Sequence, residues 1–325
     1  MALGKKRKPI IFILSLILFN LVIIGLFKER SFWRLALWNI MESKTFSDFY
    51  WHPDQPPKYF YFEPSSPKLD LFKDELSKLI KEKNSDLEKI LSVANYVMGL
   101  GKEVSSFKRV IWNSPDNMLK QIKEGRKGNC FHYSIIFSTY LASIGFKARL
   151  WTLEGDDGLE SFGHTVVEVY IKDLNKWVMF DVVNRIYFTE KEIPLSVLEL
   201  RERLLNKNLK DLKIVGEISE EKKLFNLYSR LLKMVFLRTA NDFLNKYSPM
   251  IRYRKLYYLE KFFDLFPQDI RRGLSYLIGR KEYLIHYLDE FNKSLKPKII
   301  LAKIIFYSFV VSLVSLVIFS FRKIL

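Results

Sequence analysis

Apolar residues run unbroken at the two ends of the chain, whereas between them they recur with helical or alternating spacing. Ile10 to Phe27 (IIFILSLILFNLVIIGLF) and Ile304 to Phe321 (IIFYSFVVSLVSLVIFSF) are each 18 residues long and uncharged. A helix of that length just spans a hydrocarbon core of about 30 Å. Two transmembrane helices are therefore expected, at 10–27 and 298–321. Short tails at 1–9 and 322–325 flank them.

After the first run, residues 28–67 are rich in aromatics and proline and read as a strap along a globular domain, with its first part suited to a headgroup-level collar. Helical spacing begins at Leu69 and lasts to Lys83. Ser85 with Glu88 forms a capping box for a second helix to about Met98. Ser114-Pro115-Asp116 starts a third, and Gly125 stops it. From Cys130 to Ile144 the apolar positions Phe131, Ile135, Phe137, Leu141 and Ile144 keep helical spacing, with Gly145 as the C-cap. Three β-branched and aromatic stretches follow, FKARLWTLE, HTVVEVYIK and KWVMFDVV, separated by turn residues. Helices and then an antiparallel sheet predict an α+β domain over 68–193. Helical spacing returns over 194–297, which predicts a helical region leading to the second span.

Charge adds a partner. The chain holds 53 Lys and Arg against 36 Asp and Glu, a net charge of +17, and much of the excess falls in 194–297. Anionic headgroups or envelope polymers suit such a surface. No zinc-finger spacing or RNA-binding aromatic motif accompanies the charge, so nucleic acid is not the expected partner. Lys5 to Lys8 precede the first span and Arg322-Lys323 follow the second. This places both termini in the cytoplasm and the central domain outside. No small-x-small cleavage pattern follows the first run, which therefore reads as an uncleaved signal anchor.

The chain contains one cysteine, Cys130, so an internal disulfide is excluded. Its position is the start of a helix, where free N–H groups and the helix dipole favour a thiolate. A thiolate becomes useful beside an imidazole that a carboxylate holds in place. His164 opens the second strand-like stretch, 34 residues later, and Asp181 ends the third, after a further 17. If those strands are antiparallel neighbours joined by the turn DLN, His164 and Asp181 meet at one end of the hairpin.

Gly128-x-Cys130, a helix ending in LASIGFKARLW, a strand opening with His164 and containing EVY, and Trp177 with Asp181 in KWVMFD resemble the transglutaminase-like superfamily of papain-type thiol enzymes. The resemblance covers about Asp86 to Phe188. It implies a papain-like core and a catalytic triad of Cys130, His164 and Asp181, with the Cys130 N–H contributing to an oxyanion hole. It also implies an acyltransferase or amide hydrolase that forms a thioester on peptide or protein substrates. Two positions depart from the pattern: Phe131-His132 replaces an acidic residue after the cysteine, and DVVN stands where DPT is common. Arylamine N-acetyltransferases share the same order of catalytic residues, but their glycine pair is interrupted here by Lys127.

The remaining candidates carry less chemistry. His132 points to another helix face than Cys130 and reads as packing or support. Glu168 either supports His164 or pairs with Arg149 across the sheet. Trp151 and Trp177 read as core walls, Asp156 and Asp157 as a solvated turn over the site, and His52 and His286 as incidental. No His/Cys cluster or glycine-rich phosphate loop is present, so neither a metal nor a cofactor is expected. The alternative to an enzyme is a catalytically silent, membrane-bound binding or assembly module that uses the same fold.

Overall fold

The computed structural model describes residues 12–21, 40–43, 45–58, 60–62, 65–100, 106–110, 114–155, 163–216, 220–241, 284–287, 289–290, 293 and 295–321. Among them the helices are α1 (12–21), α2 (Pro67–Ile80), α3 (Asp86–Gly99), α4 (Pro115–Lys123), α5 (Cys130–Ser143), α6 (Val197–Leu205), α7 (Glu221–Leu231) and α8 (Leu295–Phe321). The main sheet has six strands: β1 (Ile40–Ser43), β2 (Ala148–Leu153), β3 (His164–Ile171), β4 (Lys176–Phe180), β5 (Val235–Arg238) and β6 (Leu284–Tyr287). Their order is β1-β6-β5-β2-β3-β4. Only the edge pair β1 and β6 is parallel.

Local signals account for the central elements. Ser85 and Glu88 form the capping box that starts α3, and Gly125 and Gly145 end α4 and α5 at φ 82° and 90°, conformations open mainly to glycine. The hairpin β3–β4 has the antiparallel register Val167–Phe180, Val169–Val178 and Ile171–Lys176, closed by Asn175 in the left-handed region at φ 49°. Every residue of β3 is buried, because both faces of the sheet are covered. Helix α5 lies on one face, where Ile135, Ile136 and Phe137 pack with Leu150, Val167 and Phe180. The alternate residues Trp151, Val166 and Met179 belong to a second core, formed with Phe49, Phe60, Leu200 and Tyr228.

The aromatic strap is a structural part of that second core. Phe49 is fully buried, Trp51 meets Trp177 edge-on at 5.2 Å between ring centroids, and the Trp177 indole N–H donates to the Trp51 carbonyl at 2.9 Å. Arg149 ties strap to sheet: its Nε donates to Glu168 Oε2 at 2.6 Å and its Nη1 to the Phe49 carbonyl at 2.6 Å. The guanidinium lies over Trp177 at 4.1 Å and Trp51 at 5.1 Å. Glu168 also accepts from Trp151 Nε1 at 2.5 Å and from the Val197 N–H at 2.6 Å. A buried ion pair of this kind depends on such additional hydrogen bonds to offset the cost of taking both charges out of water.

The segment expected to be helical from 194 to 297 is mixed. After α6 comes the strand Leu212–Gly216, which pairs antiparallel with Ile186–Glu190, and after α7 come β5 and β6 of the main sheet. These strands are four or five residues long, too short for apolar spacing to distinguish them from helical turns. The basic stretch 252–281, like Asp156 and Asp157, lies outside the described residues.

Among the described residues, no helix is long and apolar enough to cross a membrane. The first apolar run is described only as α1, ten residues, and within α8 residues 313, 316, 317 and 319–321 fall outside the described side chains. The two spans expected from the sequence are thus not supported at this level. What the two helices do share is a contact: Asn20 Nδ2 donates to the Leu16 carbonyl at 2.8 Å and to Ser308 Oγ at 3.3 Å.

Candidate active site

Cys130 is the first residue of α5. The chain enters this helix through Gly128, where an added Cβ would come within 2.9 Å of the Tyr133 ring, so a side chain at 128 would have to displace that ring. Asn129 caps the helix: its side-chain oxygen accepts from the His132 N–H at 3.2 Å, and its own N–H donates to His132 Nδ1 at 3.2 Å. This reciprocal box assigns His132 a supporting role in holding the helix start. Burial pushes its imidazole down to about 4, so it is neutral at pH 7 and able to accept that bond.

His164 stands at the first position of β3, and Asp181 directly follows β4. Continuing the register of the hairpin sets Asp181 opposite Val166, two residues from His164 on the same face. His164 Nε2 meets Asp181 Oδ2 at 2.6 Å, and both side chains are buried. With Nε2 turned to the carboxylate, Nδ1 is the ring nitrogen left for the thiol, and the imidazole lies close enough to Cys130 to lower the thiol's pKa. The three residues singled out in the sequence are thus brought together.

The charges are mutually stabilised. Burial alone would push the Cys130 thiol up; the His164 hydrogen bond and charge, with the Thr165 N–H, outweigh it and hold the thiol below its ordinary value. For His164, burial again opposes the charged form, but Asp181 and Cys130 raise it to about 10. Asp181 is opposed by its own burial, yet His164, Tyr228 and Asn184 hold it below the usual carboxylate range. These shifts all favour a thiolate–imidazolium pair backed by a carboxylate. As the first helical residue, Cys130 also carries one of the N–H groups that α5 leaves without an intrahelical acceptor, the type of donor that stabilises an oxyanion.

Several supporting residues were not visible in the sequence. Thr165 is one: besides its N–H to the sulfur, its carbonyl accepts from Ser134 Oγ at 3.1 Å, fixing β3 to α5. Asn184 is another. Its backbone N–H donates to Asp181 Oδ1 at 3.1 Å, beside that of Val183 at 3.0 Å, and its side-chain amide to Oδ2 at 2.7 Å. The DVVN departure was therefore the signal, with no way to read its purpose. Tyr228, whose hydroxyl donates to the same Oδ2, lies 47 residues downstream, in an amphipathic helix with nothing to mark it. Glu168, by contrast, takes the structural option and pairs with Arg149, while Trp151 and Trp177 are core walls. His52 is an exposed residue 3.5 Å from Asp54, and His286 is placed only as part of β6. Among the described residues no group of three or more His, Cys, Asp or Glu could hold a metal.

A helix that presents a thiol to the end of an antiparallel sheet, with imidazole and carboxylate on adjacent strands, defines a papain-like thiol-enzyme fold. Residues 74–182 match the family model of the transglutaminase-like superfamily, and over that span, about a third of the chain, the protein carries a transglutaminase-like domain. No curated protein and no solved structure matches the chain.

Proposed function

We propose that this protein is a membrane-anchored cysteine acyl-transfer enzyme. Cys130 attacks an amide or other acyl carbonyl of a peptide or protein substrate, and the carbonyl oxygen, now an oxyanion, faces the Cys130 N–H. His164 then gives its proton to the leaving amine as the C–N bond breaks, leaving a thioester on the sulfur. An amine or a water molecule attacks that thioester and gives its proton to His164, which restores the thiolate–imidazolium pair. The observation that carries this reading is the 2.6 Å contact between His164 Nε2 and Asp181 Oδ2, with the thiol held below its ordinary value by the same ring.

Full-length protein incubated with p-nitrophenyl acetate is expected to gain one acetyl group on the peptide that contains Cys130, as read by mass spectrometry. Added primary amine should discharge it faster than water alone if transfer to amines is the natural outcome. Protein that is alkylated at Cys130 by iodoacetamide but never acylated there would favour the silent module.

We also propose that the two apolar runs, 10–27 and 304–321, anchor the enzyme, with both termini cytoplasmic and the central domain outside. The sequence runs are the basis, and the contact of Asn20 with Ser308 supports it, since a polar side chain in lipid seeks a partner on a neighbouring helix. Phe12, Phe19, Ile304 and Val311 each expose 60% or more of their surface, as lipid-facing side chains do. The net charge of +17 suits anionic headgroups or envelope polymers at the surface the domain rests on. Alkaline carbonate extraction should leave the chain in the membrane pellet, and a reporter at Leu325 should be cytoplasmic while one inserted near Pro67 is not. Release into the supernatant would sink the anchoring.

A further inference from the structure

The matched family domain ends at residue 182, yet the carboxylate of the site is completed from beyond it. Asp181 is fully buried and accepts five hydrogen bonds. Oδ1 takes the N–H groups of Val183 and Asn184; Oδ2 takes His164 Nε2, the Asn184 amide and the Tyr228 hydroxyl. Tyr228 comes from α7, and its ring is held edge-on against Phe188, 4.9 Å between centroids, and lies 6.4 Å from the His164 ring. A buried phenol needs an acceptor. Here that acceptor is the oxygen that faces the base.

We infer that Tyr228 is a positioning residue of this site, acting through Asp181: by sharing Oδ2 with His164 it limits how tightly the carboxylate holds the imidazolium, so the segment after 182 is a working part of the active site. The physical reason is that a general acid must release its proton during turnover, and an imidazolium facing a bare buried carboxylate gives it up slowly. Each further donor to Oδ2 draws off negative charge and places the positive end of its dipole toward the imidazolium. Tyr228 and Asn184 act in the same sense, and Tyr228 does so from a fully buried position that water cannot replace.

The inference rests on the thiolate–imidazolium reading above, and one experiment separates the two. Because the chain has a single cysteine, the rate of iodoacetamide alkylation against pH reports Cys130 alone. In the wild type the thiolate should already react below the ordinary thiol range, with a second step near pH 10 where His164 loses its proton. Asp181→Asn should lower that upper step. Tyr228→Phe, which keeps the ring and its packing, should raise it by about half to one pH unit, the scale of one hydrogen bond to a charged group shared between partners.

A single step at the pH of an ordinary thiol in the wild type would overturn both readings. A normal response to Asp181→Asn with a Tyr228→Phe profile that superimposes on the wild type, or moves down, would overturn the role of Tyr228 alone. Should Tyr228→Phe fail to fold, 3-fluorotyrosine at 228, a stronger donor of nearly the same shape, should lower the upper step. No movement there would overturn the inference equally.

Discussion

Cys130→Ala is expected to remove all acyl transfer and all labelling by a thiol-directed acyl probe, while leaving the fold intact. The loss should be complete because the chain has no second thiol to substitute, and water in the same pocket lacks a nucleophile's covalent intermediate. The fold should survive because Cys130 is only partly buried and stands at the first position of its helix. His164 is held independently by Asp181, and Thr165 by its place in β3 and by Ser134. Circular dichroism and the thermal midpoint should stay close to wild type. Labelling of Cys130→Ala at the wild-type level would show that the nucleophile lies elsewhere. Removing Asp181 instead should leave a slow residual reaction, since the thiol and the helix start would still be in place.

The second large effect concerns stability. Arg149→Met should cost about 3–5 kcal/mol, because it strands the buried Glu168 carboxylate without its cation. Glu168 would keep the Trp151 and Val197 donors, but the bond from Arg149 to the Phe49 carbonyl and the stacking on Trp177 would both be lost. A domain is ordinarily stable by about 5–15 kcal/mol, so this variant should be close to unfolding at physiological temperature. Denaturant midpoints and protease sensitivity within residues 45–58 would report it. Arg149→Met combined with Glu168→Gln should recover part of the loss, because the unpaired charge disappears. A single variant within about 1 kcal/mol of wild type would show that water reaches the pair and replaces the lost partner.

These two sites also mark what the sequence made legible. Cys130, His164 and Asp181 could be read because each sits at an element boundary fixed by local chemistry: a glycine entry and helix start, a strand start, a strand end. The hairpin between the last two is closed by a short turn of four residues, 172–175, so its register follows from chain connectivity. The pairing of Arg149 with Glu168 was readable as one of two options, since alternation sets the face but not the partner; the register Arg149–Glu168 decides it. Tyr228 and Thr165 were illegible for different reasons. Tyr228 reaches Asp181 through tertiary packing of α7, to which periodicity is blind, and Thr165 acts through its backbone, which no side chain advertises. The strands β5 and β6 were hidden because VFLR and LIHY are too short to show alternation, and their role comes from neighbours far away in the chain.

The edge of the main sheet bears on how the protein is made. Residues 40–43 pair in parallel with residues 284–287, 244 positions further along the chain. During synthesis β1 emerges early and has no partner until almost the whole polypeptide has been translated. The α5–β2–β3–β4 unit can assemble long before that, and α7 completes the carboxylate cage well ahead of β6. The last ladder to form is therefore the one that joins residues 40–43 to 284–287, and its closure carries the largest entropic cost of loop formation in the sheet. Between the emergence of α7, which ends at Leu231, and that of β6, which begins at Leu284, the residues of the candidate site are all present while the sheet keeps an open border.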